Sequence, residues 1–214
     1  MKVTKYEHAT VLVEKAGTRI LIDPGTFLSA VDFPQLDAIV VTHEHPDHWT
    51  PDQLERLHAA HPDAVVYTPE GAAQAMTAAG VTATVTVVHA GDEVEVGGVT
   101  LTFFGGRHNE IHSSIPIIDN LGVLVDGELF HPGDSYTVPE VPVGTLAAPV
   151  GGPWLKIGEA MDYVLAVKPA RAFPIHEMTL SVAGRGMHES RLEWAAEQGG
   201  GELIRLAPGE STDL

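Results

Sequence analysis

The sequence predicts an α/β chain of two facing β-sheets with helices on the outside. Three observations predict it. Short runs of strand length recur between segments of helical period along the 214 residues. These runs fall into two halves, expected to join near residues 105–120. Each half places histidines and aspartates directly after its apolar runs, and no linker composition interrupts the chain. One domain over residues 1–214 is the expected organisation, a length that can bury a sizeable core.

In chain order, residues 2–6, 10–15 and 18–22 read as short strands, with Ala16-Gly17-Thr18 as a hairpin turn and Asp23-Pro24-Gly25 ending the third. Phe27 to Pro34 is an apolar loop, suited either to a substrate wall or to packing on the sheet. Ala38 to Val41 reads as a buried strand. Thr50-Pro51-Asp52-Gln53 then opens a helix running to Ala60: Thr50 is the N-cap, Pro51 sits at the first helical position and Gln53 closes a capping box. A strand at 64–67 is followed by an Ala-rich helix that Thr68-Pro69 begins and Gly80 stops. Strands at 85–88, 93–96 and 99–104 include a Gly97-Gly98 turn, and strands at 121–125 and 128–130 flank Asp126-Gly127. A strand at 146–150 leads to Gly151-Gly152-Pro153-Trp154, a turn expected to carry Trp154 toward a site mouth. A helix at 157–167, a strand at 171–175, a helix at 189–198 opened by His188 and a strand at 202–206 complete the reading.

The chemistry concentrates after the Ala38–Val41 run. Thr42-His43-Glu44-His45-Pro46-Asp47-His48-Trp49 puts three histidines and one aspartate within six positions, on a strand-to-helix turn. Such a turn can aim several imidazoles at one point, which neither a regular strand nor a regular helix does at this spacing. Imidazole nitrogen and carboxylate oxygen are ligands for Zn²⁺ and similar ions. Further candidates stand at later strand ends: His108 and His112 after Gly105-Gly106, Asp134 in His131-Pro132-Gly133-Asp134-Ser135, and His176 after the 171–175 run. From the residues alone, either His108 or His112 can complete the first ligand set.

Taken together, His-x-His-x-Asp-His after a strand, His8-Ala9-Thr10, Leu21-Ile22-Asp23-Pro24-Gly25, Gly133-Asp134 and His176 resemble the metallo-β-lactamase fold hydrolases. The resemblance runs from His8 to about Gly184 and is strongest to the small single-domain branch of metal-dependent hydrolases and ascorbate-phosphate lactonases. It implies a four-layer αββα sandwich and two divalent metal ions, Zn²⁺ first and Mn²⁺ as the alternative. It implies His43, His45 and His108 at one ion, with His108 preferred to His112 because the family's ligand follows the strand end directly. Asp47, His48 and His176 hold the other ion and Asp134 bridges the pair. It gives Asp47 the task of orienting a metal-bridged hydroxide or relaying its proton. His112 is left to the pocket wall or to proton transfer, and His8 and Asp23 stand behind the ligands. The family's iron-binding redox branch has Glu where His45 stands here, which argues against redox chemistry.

Composition narrows the partners. Hydrophobic residues make up 44% and charged residues 19%, with no cysteine and so no thiolate ligand or disulfide. No apolar run reaches the roughly 18 residues of a membrane span. With no signal-peptide pattern at the start, a cytoplasmic protein is expected. The formal net charge of −17 disfavours nucleic acid, whose affinity rests on Lys and Arg at phosphates. The expectation is a hydrolase of a small-molecule ester, lactone or phosphoester. A phosphodiesterase or nuclease and a non-catalytic metal-binding protein are the alternatives, and a homo-oligomer is left open.

Overall fold

A computed structural model describes residues 1–214. The first sheet is built from β1 (Lys2–Lys5), β2 (Val11–Lys15), β3 (Thr18–Ile22), β4 (Ala38–Val40), β5 (Val65–Thr68) and β6 (Val85–Val87) in that spatial order. Its edge beside β1 is completed by β14 (Ser211–Asp213). The second sheet runs β7 (Glu93–Val96), β8 (Val99–Gly105), β9 (Leu121–Val125), β10 (Leu129–His131), β11 (Thr145–Pro149), β12 (Arg171–Ile175) and β13 (Glu202–Leu203). Each sheet begins as an antiparallel meander and continues as parallel strands, from β3 onward in the first and from β10 onward in the second. The meanders turn where the sequence permits left-handed backbone. Ala16 and Gly17 join β2 to β3, and Asp126 and Gly127 join β9 to β10, all at positive φ as tight hairpins require.

The helices α1 (Pro51–Ala60), α2 (Glu70–Ala78), α3 (Ile157–Val167) and α4 (Val182–Gly199) connect β4 to β5, β5 to β6, β11 to β12 and β12 to β13. Three apolar cores define the layers. Between the sheets, Val13, Ile20 and Val40 face Leu101, Phe103, Val123 and Phe173. Leu54, Leu57 and Met76 of α1 and α2 cover the outer face of the first sheet through Leu21, Ile39 and Val66. Tyr163, Val164, Leu192 and Ala195 of α3 and α4 cover the second through Phe130, Leu146 and Ala172. Each fully buried large side chain contributes about 1.5–3 kcal/mol, and the central strands are apolar on both faces because both are covered. This is the αββα sandwich, and no helix is long and apolar enough to cross a membrane.

Three details differ from the sequence reading. The halves divide between β6 and β7 rather than at 105–120, because the β7–β8 hairpin pairs onward with β9, Leu101 opposite Val125. Helix α4 begins at Val182, with the Ser181 hydroxyl accepting from Gly184 N–H; Gly184 and Gly186 in its first turns had masked the start. The last strand of the second sheet is only Glu202–Leu203, and the chain then returns to add β14 to the first sheet.

A buried ion pair joins the sheets inside this apolar frame. Lys5, at the end of β1, is fully buried, and its Nζ lies 2.6 Å from Glu177 Oε1, just beyond β12. Nζ also donates to the Tyr6 carbonyl at 2.8 Å. The same Glu177 oxygen accepts from the His8 N–H at 3.3 Å. Removing one partner leaves a buried charge uncompensated. Lys5→Met is therefore expected to lower the unfolding free energy of the metal-free protein by about 3–5 kcal/mol. Urea unfolding measures this, and Lys5→Met/Glu177→Met together should restore part of the loss.

Candidate metal centre

All the ligand-type residues named from the sequence, except His112, converge where strands of the two sheets end. The motif turn comes first. Beyond β4, His48 N–H and Trp49 N–H both donate to the His45 carbonyl, at 3.0 and 3.3 Å, folding the chain back on itself. Trp49 Nε1 donates to the Glu44 carbonyl at 3.1 Å, and Thr50 caps α1 by accepting from Gln53 N–H at 3.2 Å. Gly25 packs against this turn so closely that a Cβ there would lie 1.8 Å from the Asp47 carbonyl oxygen. Only glycine admits that approach.

Two groups of ligand atoms result. His43, His45, His108 and Asp134 form one; His8, Asp47, His48 and His176 form the other, the atoms within each lying within 4.8 Å of one another. Asp134 lies between them. Its Oδ2 is 3.3 Å from His108 Nε2, 3.8 Å from His43 Nε2 and 3.1 Å from His176 Nε2, while its Oδ1 is 3.1 Å from His48 Nε2. Asp47 Oδ2 lies 3.3 Å from His176 Nε2 and 3.1 Å from His8 Nε2. His45 and Asp47 are only half-buried and open the centre to solvent; the other ligand-type side chains are buried.

The rings are oriented from behind. Asp23 Oδ2 accepts from His48 Nδ1 at 2.7 Å and from the Thr42 hydroxyl at 2.8 Å, and Asp23 Oδ1 accepts from Thr42 N–H at 2.8 Å. With its proton given to Asp23, the Thr42 oxygen accepts from His43 Nδ1 at 3.0 Å. His108 Nδ1 donates to the Asn109 carbonyl. In each of these rings the outer nitrogen is a donor and Nε2 faces the centre, the arrangement that fixes metal-ligating tautomers. His8 is turned the other way. Its Nδ1 accepts from Met178 N–H at 3.3 Å, so the neutral ring carries its proton on Nε2 and donates it to Asp47. Burial keeps that ring neutral, lowering its pKa to about 4. His8 thus holds Asp47 in place, and Asp47, His48 and His176 are the atoms left free in that group.

His8, Asp23 and His176 all adopt left-handed backbone conformations, φ 60°, 49° and 65°. Non-glycine residues pay for this with strain, which persists where surrounding contacts over-determine it. Here His176 N–H donates to the His8 carbonyl at 2.9 Å, clasping the sheets together at the centre.

His112 stands apart. It is exposed on the loop beyond His108, where its Nδ1 pairs with Ser114 Oγ at 2.7 Å. The loop turns outward once Asn109 N–H has donated to the Asp134 carbonyl at 2.9 Å, so only His108 stays at the base. His131, buried behind the centre, bonds the Ala9 carbonyl through Nε2 at 2.8 Å. Trp154 is buried rather than at a mouth, and Leu28 and Phe33 of the apolar loop are core residues, with the Phe27 ring tilted against His8, 4.6 Å between centroids.

The residues present fit cations. His48 Nε2, His108 Nε2, both ring nitrogens of His176 and Asp134 Oδ1 are buried without a hydrogen-bond partner. A concentration of such atoms is unfavourable unless protons or cations lie among them. In the metal-free protein, protons serve. Burial opposes charge on His48 and His176, yet Asp134 and its neighbours outweigh it, raising His48 well above its ordinary pKa and His176 to about 9. Burial likewise opposes ionisation of Asp134, but His176, His48 and His43 hold it well below the usual carboxylate range.

The fold and the ligand groups define a member of the beta-lactamase superfamily with a candidate metal centre. The superfamily's domain matches residues 2–176, and the chain belongs to it. Protein Rv0786c of Mycobacterium tuberculosis is 40% identical over 198 residues, 90% of this chain and 91% of that one. A UPF0173 metal-dependent hydrolase of Nitratidesulfovibrio vulgaris is 26% identical over 100% of this chain and 95% of its own length. Among solved structures, the metallo hydrolase Igni18 of Ignicoccus hospitalis has a TM-score of 0.75 at 19% identity, covering 100% of this chain and 98% of that one. The diiron β-hydroxylase CmlA of Streptomyces venezuelae has the same TM-score, 0.75, at 17% identity, and the match spans 54% of it. These likenesses show the fold.

At pH 7 His48 and His176 carry protons in the metal-free protein and must lose them to coordinate a cation. Adding Zn²⁺ at that pH should release about two protons per chain, measured by calorimetry in buffers of different ionisation enthalpy. Release should fall as the pH passes about 9, where His176 is already deprotonated. A pH-independent heat would contradict this.

Proposed function

We propose that the chain hydrolyses an ester, lactone or phosphoester bond of a small molecule with two divalent cations, Zn²⁺ first and Mn²⁺ as the alternative. The observation that carries this reading is the pair of ligand groups sharing Asp134, with partnerless Nε2 and Oδ1 atoms turned inward and a solvent opening at His45 and Asp47. His43, His45 and His108 would hold one cation, Asp47, His48 and His176 the other, with Asp134 between. Cations so held supply Lewis acidity and a water acidified to near neutrality. The chain's part is to place the reacting groups. Asp47, fixed through Oδ2 by His8 and reachable from solvent, has its other oxygen free to orient the attacking water.

The loops that leave the ligand-bearing strand ends support a substrate with an apolar portion. Of eight exposed large hydrophobic side chains, five lie on them: Ile115 and Ile117 beyond His108, Val138 and Val141 beyond Asp134, and Met178 beyond His176. Such apolar exposure around a polar centre is a mark of a binding surface. Nothing comparable favours a polyanion. Arg185 is paired with Glu189 and Lys156 with Glu159, while Arg107, just before His108, has no ion-pair partner. The likeness to a diiron hydroxylase concerns fold, and His45 keeps an imidazole where the redox branch has Glu.

The test is a panel of p-nitrophenyl esters, lactones and bis-(p-nitrophenyl) phosphate, assayed with protein loaded with Zn²⁺ or Mn²⁺ and with its metal content measured. Ester or lactone turnover exceeding phosphodiester turnover, with close to two cations per chain, is expected. Full activity in metal-free protein would end the reading. Asp134→Asn keeps the shape but loses the charge, and turnover should fall about a hundredfold, the upper range for groups that shape a metal site. His112→Ala should keep full metal content, because its ring lies outside both groups.

A further inference from the structure

Trp154 has no part in the ligand groups, yet its indole makes the closest polar contact of Asp134. Nε1–H donates to Asp134 Oδ2 at 2.7 Å in a fully buried bond. The indole also packs edge-on against one histidine of each group, 6.0 Å from His108 and 5.9 Å from His176 between ring centroids. Behind it, the Tyr136 ring lies 5.5 Å away and closes the remaining side.

The backbone is shaped to bring the indole there. The turn Gly151-Gly152-Pro153-Trp154 leaves β11, and Leu155 N–H closes it on the Gly152 carbonyl at 3.1 Å. Gly152 has φ +134°, and a Cβ at that position would stand 3.0 Å from Trp154 Nε1 and 3.2 Å from the His176 ring. The glycine lets the indole N–H and the imidazole meet over one carboxylate. Packing alone does not call for this. Phenylalanine would fill an apolar slot between two histidine rings, whereas an indole brings a donor aimed at one chosen oxygen.

The two oxygens of Asp134 are thereby made unequal. Oδ2 accepts the indole N–H and is ringed by His43, His108 and His176, while Oδ1 faces His48 Nε2. We propose that Trp154 is a positioning residue of the metal centre: its indole N–H locks the rotation of the Asp134 carboxylate and so presents the two oxygens to the two ligand groups in a fixed sense. The proposal rests on the two-cation reading above. Partners that orient ligating carboxylates commonly carry 10–100-fold in metal affinity.

Two substitutions separate the N–H from the bulk of the ring. Trp154→Phe removes the donor and part of the volume. Benzothienylalanine at position 154 replaces only the N–H by sulfur and keeps the shape. Competition with a chromophoric chelator gives the affinity of each purified protein for Zn²⁺. Both variants should lose about 10–100-fold while the wild type binds close to two cations per chain. Wild-type affinity in the benzothienylalanine protein would show that only packing matters and would overturn the proposal.

A second measurement uses the unaltered protein. The three tryptophans give three indole ¹⁵N–H resonances, and the one absent from Trp154→Phe is assigned to Trp154; if that variant does not fold, the assignment comes from site-specifically labelled Trp154. This resonance should exchange slowly with solvent and move on Zn²⁺ addition. Rapid exchange, or a resonance that ignores Zn²⁺ while two cations bind, would also overturn the proposal. A wild type that binds no Zn²⁺ would instead refute the underlying two-cation reading.

Discussion

Asp23 is the residue on which the centre depends. It is buried, beyond the end of β3, and belongs to neither ligand group. Through one carboxylate it holds Thr42 N–H, the Thr42 hydroxyl and His48 Nδ1, and through that hydroxyl it fixes His43. Two imidazoles on a turn six residues long thus take their orientation from an aspartate about 20 positions earlier in the chain. A buried carboxylate is costly unless its oxygens are satisfied, and here every bond that satisfies them also aims the motif.

The rest follows from where strands stop. In both sheets the parallel strands end toward the same edge, and β4, β11 and β12 each run directly into a functional turn. The left-handed conformations at His8, Asp23 and His176 mark the points at which the backbone must leave the sheet to deliver a side chain inward. Rigid sheets set the positions, and the short turns beyond them need little freedom to complete the arrangement. Beyond them, the loops carry five of the eight exposed large apolar side chains.

Legibility in the sequence tracks how local each feature is. His43, His45, Asp47 and His48 stand out because the spacing itself is unusual, and His108, Asp134 and His176 because each follows an apolar run. The structure brings these residues together, and it puts Asp23 behind them. What was hidden depends on partners far apart in the chain. The Lys5–Glu177 pair spans 172 positions, and its lysine sits in a strand pattern that gives no hint of burial. The Trp154 bond depends on a glycine's φ and on a turn 20 residues from Asp134. The structure places His108 beside Asp134 and His112 outside, because the loop turns outward after Asn109. The early start of α4 was obscured because glycine is a poor helix former, and Ser181 supplies the cap regardless.

The clasp between His176 N–H and the His8 carbonyl means that the centre is also a seam. His8, Asp47 and His48 hang from the first sheet and His108, Asp134 and His176 from the second, so a cation bound among them would add a cross-link to the apolar core, the Lys5–Glu177 pair and the His8–His176 bond that already join the two halves. Along this edge the sheets could not part without surrendering such an ion, whereas the ion could leave by the solvent opening at His45 and Asp47. Amide hydrogens flanking His8 and His176 would then exchange more slowly in the metal-loaded protein than in the metal-free one.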